Sequence, residues 1–548
     1  MMFKELVELF KELSATTKRL EMTIILSDFL KKVNCETIGF VVLLCMGKVF
    51  PTNTHIELGV ANNIMIDALS LSSGVSKKEV LELWKKIGDL GEVSKKLMSK
   101  KKQVTLINQG LSLENVKENL YKIPTFEGKG SIDLKLKTIS KLLSLANEDE
   151  ALFLTRIILG SMRTGVGKGV LRDSLASAFN VEPAKIENAY NLCTDFSFLA
   201  TQICKNPKNI DDINLKLFTP VNVMLFQKVK DVDEGFEKVG KPAIIQVKYD
   251  GIRAQIHKKD DKVIIFTRNL DDVTTQFPDA VKYVKEFIIS KNIIFECEMV
   301  AFDSKTDKPL PFQALSKRIK RKYDISEIEK KIPVKMFCFD LLMLDNKTFI
   351  DEPFINRHET LIKQIKNNKH LMIAKGIKTS SEVEALKLFN EGIQEQEGVM
   401  FKKLDAKYQA GSRVGFGVKL KSHMKELDLV ITEAFFGKGR RKDWFGSFTL
   451  SCYDELNNDF LTIGKLGTGF SDEQLNEMNE KIKKLIVEEK ADKVIITPDI
   501  VVEVEYEEIQ KSPTYNSGYA LRFPRLLRIR EDKKPHEANS IKFIESLL

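Results

Sequence analysis

The chain has 548 residues, 43% hydrophobic and 30% charged, with a formal net charge of +9. That length is too great for one core and suggests about three or four domains of ordinary soluble globular composition. Seven scattered cysteines, never spaced as CxxC, argue against a zinc ribbon or disulfide framework and for a reducing cytosol; six histidines without HExxH argue against a histidine metal site.

Phe3, Leu6, Val7, Phe10 and Leu13 fall on one helical face, and similar periodicity runs through Ile24-Ile25-Leu26, Phe29-Leu30 and Val80 to Leu97. No secretory signal precedes this amphipathic start, and the apolar stretch Ile38 to Met46 is about half the length that spans a bilayer, so a core helix accounts for it. The expectation is a cytoplasmic protein with no membrane partner. Strand signals stay sparse to about residue 212, which predicts an all-helical first domain over 1–212. Inside it, the glycine-rich loop Gly160 to Gly169 leads into an apolar helix, Val170 to Phe179. Met162 and Gly169 stand where GxxxxGK[ST] needs glycine and a hydroxyl residue, so this is no NTPase loop. Backbone amides at a helix start beside Arg163 and Lys168 suit a nucleic-acid phosphate.

From residue 213 to 425 strands, helices and turns alternate, with Thr219-Pro220 at the entry. Ala243 to Val247 is a buried strand, Ile252, Ala254 and Ile256 alternate with Arg253, Gln255 and His257, and Asp260-Asp261 turns onto Val263 to Phe266. Lys248 therefore leaves a strand end. Alone it is a solvated cap, but a desolvated lysine near other cations loses its proton more readily and becomes a nucleophile. Further on come Phe295 to Val300, with Glu296 and Glu298 on one face, the strand Met336 to Leu342 around Phe339, the run Glu397 to Lys402, and Lys419 and Lys421 on one side of another strand. From 426 to 548 short strands and turns, with a helix over Asp472 to Glu488, suit a small five-stranded barrel ended by an arginine-rich tail. Basic runs at Lys100 to Lys102, Lys317 to Lys322 and Lys438 to Lys442 favour a long anionic ligand.

In order, Lys248-Tyr249-Asp250-Gly251-Ile252-Arg253, Thr267-Arg268-Asn269, Glu296-Cys297-Glu298, Phe339-Asp340-Leu341, Glu397-Gly398-Val399-Met400, Lys419-Leu420-Lys421 and the tail resemble the motifs of the covalent nucleotidyltransferases. With the helical first domain and Arg163-Thr164-Gly165-Val166, the chain resembles the archaeal and eukaryotic ATP-dependent DNA ligases over nearly its whole length. The resemblance implies a multidomain α+β fold: a helical DNA-binding domain (1–212), an ATP-grasp-like α+β adenylation domain (213–425) and a C-terminal OB-fold β-barrel (426–548). It implies sealing of nicks in duplex DNA, in replication, repair and recombination, through a lysyl-AMP and a DNA-adenylate. Lys248 would be the nucleophile, and Gln246, Arg253, Arg268, Glu298, Phe339, Arg413, Lys419 and Lys421 would hold the nucleotide, Phe339 by stacking. Glu298 and Glu397 would bind Mg²⁺, whose preference is for hard oxygen ligands. Arg525, Arg528 and Lys533 would orient pyrophosphate, and Arg163 and Lys168 would bind DNA.

ATP is the implied nucleotide; ADP, GTP and NAD⁺ stay open as alternatives, although the cysteine zinc cluster of the NAD⁺-specific ligases is missing. The implied partner is nicked duplex DNA, met by a monomer, with Gln103 to Ile107 a candidate for sliding-clamp binding that lacks the terminal aromatics. Two departures from the family pattern are Gly417, where tryptophan is usual, and Val223, where proline is usual. RNA ligases and capping-type nucleotidyltransferases share the lysine motif but not the large helical domain. A non-catalytic nucleic-acid-binding scaffold has no need of acids beside a phosphate.

Overall fold

A computed structural model describes residues 1–54, 56–99, 110–319, 325–366, 368–421, 426–437, 444–490 and 492–547. The chain divides into two compact units, Met1–Lys421 and Ser422–Leu548. Within the first unit, residues up to about 213 are helical. Helix Phe3–Ala15 buries Phe3, Leu6, Val7, Phe10 and Leu13, the stripe that its periodicity predicts, together with Leu9. Helix Ile38–Cys45 is buried on all sides, a core helix as its uniform apolarity requires. The periodic run from Val80 to Leu97 is broken into Lys77–Ile87 and Leu90–Met98. Gly88 takes a left-handed conformation that ends one helix, and the Asp89 carboxylate caps the next by accepting from the amides of Gly91 and Glu92.

One expectation fails here. Cys35 and Cys204 form a disulfide with Cα atoms 5.5 Å apart, although 169 residues separate them. Cys35 precedes helix Ile38–Cys45, which packs on helix Phe196–Lys205 carrying Cys204. Their meeting is a product of helix packing, which cysteine spacing does not encode.

Among its described residues the remainder of this unit holds eleven strands: β1 (Leu225–Val229), β2 (Ala243–Lys248), β3 (Ile252–Lys259), β4 (Lys262–Thr267), β5 (Asn292–Ala301), β6 (Val334–Leu344), β7 (Lys347–Thr348), β8 (Leu371–Ile373), β9 (Gly376–Thr379), β10 (Gly398–Lys403) and β11 (Arg413–Lys421). They form a five-stranded sheet in the order β1-β11-β10-β2-β9 and a six-stranded sheet β4-β3-β5-β6-β7, with β8 pairing β6. In the first sheet Ala243, Ile245, Val247, Val399, Phe401, Val418 and Leu420 pack against helices Val232–Val239 and Glu382–Glu395. In the second, Ile252, Ala254, Ile256, Phe295, Cys297 and Met299 pack against helix Pro278–Phe287. Strand alternation then sends Gln246 and Lys248, and Arg253 and Glu298, to the opposite faces.

The segment joining the helices to the sheets is held by β3. Buried His257 accepts from the Phe218 amide through Nδ1 at 3.0 Å, and Gln255 Oε1 accepts from the Val221 amide at 2.8 Å.

The second unit contains β12 (Leu427–Phe436), β13 (Phe445–Asp454), β14 (Asp459–Leu466), β15 (Ile486–Glu489), β16 (Lys493–Glu505), β17 (Glu508–Lys511), β18 (Tyr519–Arg522) and β19 (Arg525–Ile529). Where five strands are expected, the main sheet has six among the described residues, β14-β13-β12-β16-β15 with β19 on β16, and β17-β18 pair separately. The predicted helix to Glu488 stops at Lys483, and Ile486–Glu489 pairs with β16 instead. Pairing to a neighbouring strand overrides the local helical pattern.

Candidate active site

The five-stranded sheet builds one wall of the site. Register places Lys248 beside Gly398, and Gly398 beside Lys421; Gln246 lies beside Met400, and Met400 beside Lys419. Three strands thus bring Gln246, Lys248, Lys419 and Lys421 to one face. Glu397, just before β10, reaches back over this face. Its Oε2 accepts from Lys248 Nζ and lies 3.1 Å from Lys421 Nζ. Burial by itself would raise the Glu397 carboxyl, but the two ammoniums outweigh it and hold it well below the usual carboxylate range. The sequence suggests cations crowding Lys248; in the fold its partner is this carboxylate.

The six-stranded sheet builds the other wall. β3 and β5 pair Arg253 with Glu298 and Gln255 with Glu296. Fully buried Glu296 accepts from Arg253 Nη2 at 2.7 Å and from the Tyr408 hydroxyl at 3.2 Å, while Arg253 Nη1 donates to the Met224 carbonyl at 2.6 Å. The guanidinium lies 5.5 Å from the Phe339 ring centroid, and Lys402 Nζ from β10 lies 4.7 Å from it. Burial lifts the Glu298 carboxyl to about 7; Lys248 and Arg253 pull it down, and Glu397 and Asp250 push it up. Burial likewise lowers Lys402 to about 7.

Gly251 is required by close approach: a β-carbon there would come 2.3 Å from the Met299 carbonyl oxygen on β5. At Gly417 the Phe226 ring lies where a β-carbon would sit, 2.5 Å away, so this chain fills from β1 the volume beside the lysine strand.

Of the predicted nucleotide residues, Gln246, Lys248, Arg253, Glu298, Phe339, Glu397, Lys419 and Lys421 belong to these two walls. Arg268 and Arg413 lie beside the second wall: Thr267, just before Arg268, pairs with Ala254 next to Arg253, and Arg413 pairs with Leu225, next to the Met224 whose carbonyl accepts from Arg253. Arg413 begins β11, six residues before Lys419 and therefore about 20 Å along the strand. Arg268 lines a cavity of about 350 Å³ between the helices and sheets, with Lys168, Arg172, Tyr190 and Asn222. This cavity lies where Lys168 opens helix Lys168–Phe179. Arg163 pairs with Asp89 at 2.9 Å, and Lys168 Nζ lies 5.0 Å over Tyr190.

In the second unit the predicted pyrophosphate residues are paired with acids. Arg528 pairs with Glu503, Arg525 is 3.8 Å from Glu505, and Lys533 is 2.6 Å from Asp428, which Arg530 also holds at 2.9 Å. Lys100 to Lys102, Gln103 to Ile107 and Lys438 to Lys442 lie outside the described residues, as does part of Lys317 to Lys322.

Sequence reasoning passes over Glu296 as a functional group, and misses Tyr408, Lys402 and His358. The alternation of β5 places Glu296 with Glu298, which is a usable signal; nothing local marks the other three. Among the described residues no cluster of three or more histidines, cysteines, aspartates or glutamates could hold a metal. Glu298 and Glu397 nevertheless fit Mg²⁺, which typically takes one or two carboxylates and completes its shell with waters and substrate phosphates. The buried Glu298 carboxyl, pushed up by Glu397 and Asp250, is the kind of group that a divalent cation would discharge. No helix among the described residues is long and apolar enough to cross a membrane.

Family models match throughout: DNA ligase N terminus over residues 2–176, ATP dependent DNA ligase domain over 223–421 and ATP dependent DNA ligase C terminal region over 441–533. The chain is 40% identical to a DNA ligase of Nanoarchaeum equitans, covering 100% of this chain and 98% of that one. It is 38% identical to DNA ligases of Thermococcus fumicolans and Methanocaldococcus jannaschii, covering 100% of this chain and 98% and 99% of theirs. A solved structure titled Pmar-Lig_Pre. shares the fold, with a TM-score of 0.60 at 17% identity over 96% of this chain and 99% of that one.

Proposed function

The chain belongs to the ATP-dependent DNA ligases, and from that premise we propose which of its residues carry each step of nick sealing. The enzyme uses ATP and seals nicked DNA through a lysyl-AMP and a DNA-adenylate. The observation that carries the assignment is the Lys248 amine, held against Glu397 beside Lys421 on one sheet, with Arg253 and Glu298 on the other.

In the first step the Lys248 Nζ lone pair attacks the α-phosphorus of ATP. The bond to the bridging oxygen breaks, pyrophosphate leaves, and AMP remains on Lys248 as a phosphoramidate. The amine must shed its protons, which the neighbouring cations Lys419 and Lys421 favour, while Glu397 holds Nζ in place. Lys419 and Lys421 neutralise charge that develops on the α-phosphate, and Arg253 holds the ribose and phosphates. Phe339 stacks on the base. In the second step an oxygen of the nick 5′-phosphate attacks the adenylyl phosphorus and the P–N bond breaks, which frees Lys248. In the third the 3′-hydroxyl oxygen attacks the 5′-phosphorus, and AMP departs. All three steps are attacks at phosphorus, so alignment and charge neutralisation supply the rate.

Mg²⁺ held by Glu298 and Glu397 would neutralise phosphate charge. Residues 1–212 would grip the duplex, with Arg163 and Lys168 on its phosphates; 213–425 would carry the chemistry; 426–548 would bring Arg525, Arg528 and Lys533 to the leaving pyrophosphate, exchanging their present acids for it. Arg268 and Lys168 share a cavity, which favours a DNA phosphate over the nucleotide as the Arg268 ligand. The protein acts as a monomer, with Gln103 to Ile107 the stretch to test for clamp binding.

Incubation with α-labelled ATP and Mg²⁺ is expected to give an acid-labile protein–AMP adduct that Lys248→Ala lacks. An adduct that persists in Lys248→Ala refutes the assignment.

A further inference from the structure

Asp89 takes no part in the chemistry above, yet it joins three elements of the helical region. Its side chain is 8% exposed, and both carboxylate oxygens are in use. Oδ1 accepts from the amides of Gly91 and Glu92 at 2.7 and 3.3 Å, which caps helix Leu90–Met98. Oδ2 accepts from Arg156 Nη2 at 3.0 Å and lies 2.9 Å from Nη1 of Arg163. Gly91 permits this meeting. A β-carbon there would come 2.9 Å from Arg156 Cγ and 3.0 Å from the Leu152 carbonyl oxygen, so a larger residue would hold the capped helix end away from helix Glu148–Ile158.

The two arginines differ. Arg156 is 11% exposed, also pairs with Glu92 at 3.1 Å, and belongs to the packing between the helices. Arg163 is 59% exposed and stands in the glycine-rich loop between helix Glu148–Ile158 and helix Lys168–Phe179. Its φ of 58° lies in the left-handed region, which residues with a β-carbon rarely enter, so the loop needs an outside contact to keep it there. Asp89 supplies that contact. A guanidinium carries five N–H donors in a flat fork, so Arg163 can spend Nη1 on Asp89 and keep donors for a phosphate.

We propose that Asp89 is a positioning residue for the DNA grip: it ties Arg163 to the N-terminus of helix Leu90–Met98, so that the glycine-rich loop presents the guanidinium to a backbone phosphate with its conformation already set. The inference rests on Arg163 being a duplex-phosphate ligand. A loop containing Gly160, Gly165 and Gly167 has many conformations open to it, and without the tie binding has to order it first. Asp89 acts through Arg163 and touches no DNA.

The test is binding and sealing of a nicked duplex by the full chain carrying Asp89→Asn, Arg163→Ala, both changes together, or Arg163→Lys. Asparagine keeps a capping oxygen and removes the charge that holds Arg163. Asp89→Asn should raise the KM for nicked DNA roughly tenfold, with kcat at saturating DNA within about twofold, and should flatten the slope of log K against log salt by about one. Arg163→Ala should do the same, and Asp89→Asn added to it should weaken binding no further. Arg163→Lys, an exposed change that leaves the cap intact, should also raise KM several-fold, because an ammonium lacks the fork that serves carboxylate and phosphate together. Equal weakening by Asp89→Asn with and without Arg163 overturns the proposal, since a purely structural loss acts in both backgrounds. Arg163→Lys binding as tightly as the wild type also overturns it. If Arg163→Ala binds nicked DNA like the wild type, the phosphate reading of Arg163 fails and the proposal with it; if Arg163→Ala weakens binding and Asp89→Asn does not, the proposal alone fails.

Discussion

The two walls of the site hold their charges in opposite ways. On the five-stranded sheet, Lys248 and Lys421 share one carboxylate, Glu397, and these three side chains remain partly accessible. On the six-stranded sheet, Arg253 is locked by Glu296 and the Met224 carbonyl, and Glu296, which also accepts from Tyr408, has no exposure at all. The first wall can exchange its acid for a phosphate, because Glu397, unlike Glu296, is partly accessible and a phosphate can take its place between the two ammoniums. The second cannot, because each partner removed leaves a buried charge. The reacting amine sits on the exchangeable wall and the fixed guanidinium on the rigid one.

The largest expected effect breaks the rigid wall. Glu296→Ala should lower unfolding stability by about 3–5 kcal/mol, measured by urea denaturation; a loss under 1 kcal/mol would show that Arg253 does not depend on it.

Glu298, at the edge of that wall, should reveal itself through pH. Its folded value of about 7 lies above the unfolded value of 4.5, so its stabilising contribution is complete below 4.5 and is lost as pH rises to about 7. Between pH 4.5 and 7.5 the wild type should lose about 3 kcal/mol relative to Glu298→Gln. Parallel pH–stability curves would count against this burial.

The exchangeable wall should respond in rate as well as in stability. Glu397→Gln is expected to slow adduct formation by about 100-fold in single turnover and to lower the melting temperature at neutral pH, because it removes the carboxylate that Lys248 and Lys421 hold ionised. Unchanged rate would mean that Glu397 does not position the Lys248 amine.

The smallest effect concerns packing behind the lysines. Gly417→Ala should cost about 1–3 kcal/mol of stability, because its β-carbon meets the Phe226 ring, and Phe226→Ala in the same background should recover part of that loss. Failure to recover would place the clash elsewhere.

Local pattern exposes a good part of this. The period of two in β2, β3 and β5 assigns Lys248, Arg253 and Glu298 to faces, and the alternation in β11 puts Lys419 with Lys421. The helical stripe of Phe3 to Leu13 is equally plain. What local pattern misses is long in sequence. Glu397 meets Lys248 across 149 residues, and His358 meets Gln246 across 112.

The sequence by itself determined the strands, the faces their residues take, the chemistry of a lysine beside acids, and through its motifs the family. Only the tertiary structure decided that β10 lies between β2 and β11, which acid reaches the nucleophile, that Phe226 fills the space at Gly417, and that Cys35 joins Cys204. The reason is physical: alternation and helical period arise from backbone geometry over a few residues, whereas these pairings depend on how whole sheets and helices stack to bury their apolar faces.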